Sequence, residues 1–198
     1  MSAGSRESGA THVEVADRAA LHAWLTVHHE QRTGVWIVFR KGEQRAVSYD
    51  DIVEEALSFG WIDSKTGRVD EYRSKLWLAP RRRGSAWSRR NKEIIDRLMA
   101  AGLMQPPGLA AVEAAKADGT WTALDAVEAL EEPPDLRAAL DASPSARTHW
   151  DAFPRSAKRM ILEWISTAKR PETRAKRIRQ TVDEAAENRR ANEWRPKT

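Results

Sequence analysis

The sequence predicts an α+β protein: a small N-terminal β-sheet packed with helices, followed by an all-helical C-terminal region. Val35-Trp36-Ile37-Val38-Phe39 is an unbroken β-branched and aromatic run, the composition of a strand covered on both faces. Helical periodicity, punctuated by caps, glycines and prolines, flanks it on either side. Beyond Pro133-Pro134 no such strand run recurs, and apolar residues return only at helical spacing.

In chain order, Met1 to Ala10 is rich in Ser and Gly and has no apolar stretch of the secretory type. Residues 1–16 are expected to form a flexible tail. Asp17 is placed to cap a helix reaching about Gln31, with Ala20, Leu21, Trp24, Leu25 and His28 on one face. Gly34 ends that segment and the Val35 strand follows. Ser48, with Asp51 in the capping-box position, opens a helix carrying Ile52, Val53, Ala56 and Leu57 that stops at Gly60. Trp61 to Arg68 and Val69 to Ala79 read as further strands, with turn chemistry in Ser64-Lys65-Thr66-Gly67-Arg68. After a basic loop, Pro80 to Ser85, Ser88 caps a helix bearing Ile94, Ile95, Leu98 and Met99 that Gly102 ends. Pro106-Pro107 start a helix through Lys116, Asp118-Gly119 is a turn, and Thr122 to Leu130 is a weaker helix.

Two prolines after two acids, Glu131-Glu132-Pro133-Pro134, cannot continue a helix. They mark the expected joint between an α+β region, residues 17–130, and a helical region, residues 131–190. In the latter, Asp135 is expected to cap Leu136 to Ala142, and Pro144 starts a helix reaching Phe153. Ser156 to Ala168 would bury Met160, Ile161, Trp164 and Ile165. Pro171 starts the last helix, to about Asn188, with Ala175, Ile178, Val182 and Ala185 inward. Residues 191–198 read as a second flexible tail.

Composition narrows the chemistry. The 198 residues are 41% hydrophobic and 31% charged and contain no cysteine. That removes disulfides, thiolate nucleophiles and cysteine zinc sites, and fits a cytoplasmic location. No apolar run approaches the roughly 20 residues that span a bilayer. Lys plus Arg outnumber Asp plus Glu by 33 to 29, so where the charge lies matters more than its sum. The P-loop, the dinucleotide glycine fingerprint, the nucleophile elbow and the H-E-x-x-H zinc motif are all missing. No cofactor and no catalytic residue is expected. His28-His29 point about 100° apart on a helix and cannot share a metal as an i, i+4 pair would. Asp50, Asp51, Glu54 and Glu55 suit the positive end of a helix dipole better than acid–base work.

Two constellations stand out as binding candidates. In Pro80-Arg81-Arg82-Arg83-Gly84-Ser85-Ala86-Trp87-Ser88-Arg89-Arg90-Asn91-Lys92, cations gather beside a helix N-terminus that already favours anions. An anionic small molecule or phosphate group would balance them, at a site of Arg81, Arg82, Trp87, Ser88 and Asn91, with Trp61, Asp63 and Lys65 nearby. Carboxylates such as Asp63, Asp70 or Glu71 would also balance them. Lys169, Arg170, Arg174 and Arg177 form the second, a basic stripe along the last helix that suits phosphate. Three classes follow: a non-enzymatic binding protein, an enzyme on a phosphorylated or nucleotide-like substrate with Asp63 as its acid or base, and a nucleic-acid-binding protein.

The segments Asp135-Leu136-Arg137-Ala138-Ala139-Leu140, Ser143-Pro144-Ser145-Ala146, Phe153-Pro154-Arg155-Ser156, Trp164-Ile165, Ala168-Lys169-Arg170, Glu172-Thr173-Arg174 and Arg177-Ile178 resemble the C-terminal domain of the YdeI or OmpD-associated, bacteriocin-protection family. Upstream, Gly60-Trp61-Ile62-Asp63, Pro80-Arg81-Arg82, Ser85-Ala86-Trp87-Ser88, Asn91 and Gly102-Leu103-Met104 look similar to full-length members. The likeness then runs from about Leu21 to Asn188, with Trp150 where a Phe is expected. The resemblance implies a role in bacterial tolerance of bacteriocins and cationic antimicrobial peptides, and no catalytic residue. A basic protein repels a cationic peptide, so an indirect route through an anionic partner is the expectation.

Overall fold

The structure, a computed structural model, describes residues 11–42 and 45–193. Of the expected tails at 1–16 and 191–198, residues 1–10 and 194–198 lie outside the described chain, and Ala191 is buried. The described chain forms two compact units, the first ending at Thr122 and the second starting at Ala123. The Glu131–Pro134 joint therefore lies inside the second unit.

Within the first unit, β1 (His12–Glu14), α1 (Arg18–His28) and β2 (Val35–Arg40) form a strand–helix–strand crossover. Its strands pair in parallel, as a connection through a helix allows. Residues 11–16 are thus not tail: His12, Val13 and Glu14 pair with Trp36, Ile37 and Val38. Three residues are too short for a periodic signal, so the pattern hid them. After α2 (Tyr49–Ser58), β3 (Trp61–Arg68) and β4 (Arg73–Pro80) form a hairpin, giving the antiparallel remainder of a β1-β2-β4-β3 sheet. α3 (Arg89–Ala100) and α4 (Pro106–Ala117) complete the unit.

The hairpin turn is not where the sequence places it. Ser64 to Arg68 stay in β3, with a register shift between Asp63 and Lys65. The chain reverses at Val69–Tyr72, where the Asp70 carboxylate accepts the backbone N–H groups of Tyr72 (2.9 Å) and Arg73 (2.7 Å). Gly67 marks a close approach instead: a Cβ there would sit 3.1 Å from Lys75 Cε.

Local caps set the helix starts. Asp17 accepts from Ala20 N at 2.8 Å, and Ser48 with Asp51 forms a reciprocal capping box. Strand alternation then sends Val35, Ile37, Leu76, Leu78 and Trp61 to the helix side. There they join Leu21, Leu25, Ile52, Val53, Leu57, Ile95, Leu98 and Val112 in the core. α4 meets the end of α2 at Gly108, where an added Cβ would lie 2.1 Å from the Ser58 carbonyl oxygen.

The second unit consists of α5 (Asp125–Glu128), α6 (Pro134–Asp141), α7 (Pro144–Ala152), α8 (Arg155–Ser166) and α9 (Pro171–Ala186). The expected helix at Thr122–Leu130 is only the single turn α5. Asp135 does not cap α6: it lies inside the first turn behind Pro133, its carboxylate taken by Arg174 at 2.6 and 2.8 Å. Leu162, not Met160 or Trp164, joins Ile161 and Ile165 in the core. On α9, Thr181 replaces Val182 inside and Ala175 is exposed. The Thr181 hydroxyl is satisfied by the Arg177 carbonyl at 2.8 Å, which removes the cost of burying it. Glu132 anchors the unit, accepting from Arg147 at 2.7 and 2.8 Å and from the fully buried Trp150 Nε1 at 2.7 Å.

Candidate anion-binding site

Arg81 follows β4 directly, its N–H donating to the Gly60 carbonyl at 3.0 Å. Its guanidinium carbon lies 3.7 Å from the centre of the buried Trp87 ring, a desolvated cation–π contact. Nη2 donates to the Ser85 carbonyl (3.1 Å) and the Ala86 carbonyl, while Nε is buried with no hydrogen-bond partner. Burial alone pulls the guanidinium pKa down to about 10. None of the ion pairs found among the described residues involves Arg81. A cation held this way lacks its anion.

The surrounding loop is fixed from α4's far end. Trp87 N donates to the Thr120 carbonyl at 3.4 Å, and the Trp87 and Trp121 rings lie 5.1 Å apart. Asp118 accepts from Thr120 N (3.0 Å) and Thr120 Oγ1 (2.5 Å). Its pKa is lowered by the Thr120 hydroxyl first, then by backbone hydrogen bonds from Thr120 and Gly84 and by the nearby Arg83. Together these groups form an open cavity of about 40 Å³ lined by Arg81, Arg82, Arg83, Trp87, Ala111 and Asp118, among others.

Of the residues the sequence singles out, Arg81, Arg82 and Trp87 meet in this cavity. The others sit elsewhere. Ser88 caps α3 and accepts from Asn91 N at 3.3 Å, so both serve the helix start. Trp61 is core, donating Nε1–H to the His29 carbonyl at 3.1 Å. Asp63 accepts from the Tyr49 hydroxyl at 2.5 Å, and the Tyr49 phenol is pushed up to about 12 by burial and then by that carboxylate. Lys65 is exposed on β3. Asp118 and Thr120 went unrecognised as site residues. An Asp-Gly turn reads as a turn, and its docking against a loop some 35 residues earlier leaves no local signal.

The second basic stripe is largely spent on structure. Arg174 pairs with Asp135, holding α9 to α6. Arg177 donates to the Trp164 carbonyl and the Thr167 hydroxyl (3.0 Å), closing the end of α8, with its guanidinium 5.0 Å from the Trp164 ring. Lys169 and Arg170 are exposed at the start of α9. The acids of α2 are likewise committed: Asp51 and Glu54 to Arg18, Glu54 also to Arg97, Asp50 to Arg90, and buried Glu55 to Arg18 and His22. His28 and His29 each place Nδ1 on a carbonyl of α1, Trp24 and Thr26.

Fold and cavity define an α+β protein whose first unit carries an unpaired, stacked arginine in a basic hollow. The chain belongs to the family described as a domain of unknown function, DUF8412, which matches residues 13–111, half of the chain. Residues 129–188 match the family described as bacteriocin-protection, YdeI or OmpD-associated. That second likeness therefore spans the C-terminal third, and the segments from Leu21 to Met104 fall mostly within the other family. No curated protein and no solved structure matches the chain. No helix among the described residues is long and apolar enough to cross a membrane.

Proposed function

We propose that this protein binds a small phosphate-bearing anion in the Arg81 cavity, without turning it over, in a role associated with bacteriocin protection. The observation that carries the reading is the Arg81 guanidinium, desolvated, stacked on Trp87, and left with an unsatisfied Nε. A phosphate or carboxylate entering beside Arg82 and Arg83 supplies charge-assisted hydrogen bonds where water is scarce. The Asp118 carboxylate in the same lining is already engaged by the Thr120 N–H and hydroxyl. Asp63 accepts the Tyr49 hydroxyl and does not line this cavity.

The test is a thermal-shift titration of the full chain with inorganic phosphate, pyrophosphate and a sugar phosphate. A ligand that binds only the folded state raises the midpoint, by about 2.7 kcal/mol of stabilisation at a hundredfold excess over Kd. The rise should vanish in Arg81→Met and shrink in the Arg82→Ala/Arg83→Ala double variant. An equal rise in all three proteins refutes the site.

A further inference from the structure

The sheet of the first unit has a second face, pointing away from the core helices. Strand alternation places His12, Trp36, Trp77 and Lys65 in one row across it. In the register, His12 pairs with Trp36, Trp36 with Trp77, and Trp77 with Lys65. Lys75 lies in the next row, between Val38 and Gly67. None of these side chains belongs to the helix-side core and none lines the Arg81 cavity.

The row combines aromatic and cationic side chains on one face. The Trp36 and Trp77 rings meet edge to face at 5.2 Å, and the His12 ring lies nearly parallel to Trp36 at 6.5 Å. The Lys75 ammonium sits 4.4 Å above the Trp36 ring and 3.2 Å from His12 Nε2. Two glycines let these groups lie close to the backbone. A Cβ at Gly34 would come within 2.5 Å of the Trp77 indole, and one at Gly67 would meet the Lys75 chain. Trp36 is the buried floor at 7% exposure, Trp77 is half-buried, and His12 and Lys65 face solvent. Arg40 and Arg73 pair in the row beyond Lys75, where Glu14 answers Arg73 at 3.3 Å. Tyr72, 69% exposed, stands at the adjoining hairpin tip.

We infer that this face binds single-stranded nucleic acid, its bases lying against Trp77 and His12 and its phosphates against Lys65, Lys75 and Arg40, with Trp36 as the buried support beneath. Indole faces accept any base by stacking, and cations interleaved with them match a chain that alternates planar groups with negative charge. A duplex hides its base faces in the stack, and a neutral glycan carries no charge to match the cations. The pleated sheet offers no protruding apolar side chain to enter a lipid surface.

The test is fluorescence anisotropy of the full chain with labelled oligothymidylate and oligouridylate across a salt series, beside a duplex of equal length and heparin. Single strands should bind, with log affinity falling against log salt by about 0.7 per phosphate neutralised. Trp77→Ala should weaken binding about tenfold, the scale of one lost base stack. Because Trp77 also packs on Gly34, the Lys65→Glu/Lys75→Glu variant carries the decision: it should bind at least tenfold more weakly with native circular dichroism. Arg81→Met should leave this binding unchanged, separating it from the cavity. The inference is overturned by no binding at low salt, by equal binding of duplex or heparin, or by a charge-reversed variant that binds as wild type.

Discussion

At the scale of single residues, two charged groups behave in opposite ways. Arg81 is half-buried against Trp87 with no counter-ion among the described residues, so its charge is a cost to the fold that an anion would relieve. The sequence places it in an exposed loop, where substitution by alanine would weaken anion binding without lowering stability. Its bonds to the Ser85 and Ala86 carbonyls overturn that expectation. Arg81→Ala should lower stability by about 1–3 kcal/mol, whereas Arg81→Met, which keeps the packing and sheds the charge, should stay within about 1 kcal/mol of wild type. Chemical denaturation of both variants in phosphate-free buffer checks the pair. Glu132 is the reverse case, a carboxylate with every neighbour arranged to keep it ionised. Arg147 lowers its pKa most, and the Trp150 N–H adds to the effect. Glu132→Gln should cost about 2 kcal/mol, the scale of a lost hydrogen bond to a charged partner, read as a lower melting midpoint.

At the scale of elements, what the sequence discloses is what is local. The caps at Asp17, Ser48 and Ser88 are visible because a side chain three residues from its partner is a chain-order fact. The β2 strand is visible because its residues are apolar on both faces. The β3–β4 turn is misplaced because Thr66-Gly67 carries turn composition while serving a close approach to Lys75. The cavity was half legible. Arg81, Arg82 and Trp87 are neighbours in sequence, but Asp118 and Thr120 reach them only through the docking of α4. That docking has its own test. Gly108→Ala should destabilise the first unit by roughly 1–3 kcal/mol, because the new methyl meets the Ser58 backbone carbonyl, which cannot swing aside. Thermal denaturation of that variant beside Ala110→Gly, an exposed change on the same helix, separates the clash from helix propensity.

At the scale of the whole molecule, stability should depend on acid more than on base. The pKa values of Asp51, Glu132 and Asp135 are lowered below their unfolded values of 3.8, 4.5 and 3.8, by Ser48, Arg147 and Arg174 respectively before any other cause. A lowered carboxylate stabilises the fold above its unfolded pKa, and that contribution fades as pH falls through the folded one. The melting midpoint should therefore hold between about pH 5 and 8 and drop below about pH 4. A midpoint unchanged at pH 3 would show these pairs to be idle. The close approach at Gly34 carries a different consequence, one of descent. A Cβ there would meet both the Trp77 indole at 2.5 Å and the Leu78 backbone carbonyl oxygen at 2.7 Å, and losing the indole would relieve only the first. Among descendants of a common ancestor, position 34 should therefore stay glycine even on branches where the tryptophan at 77 has gone.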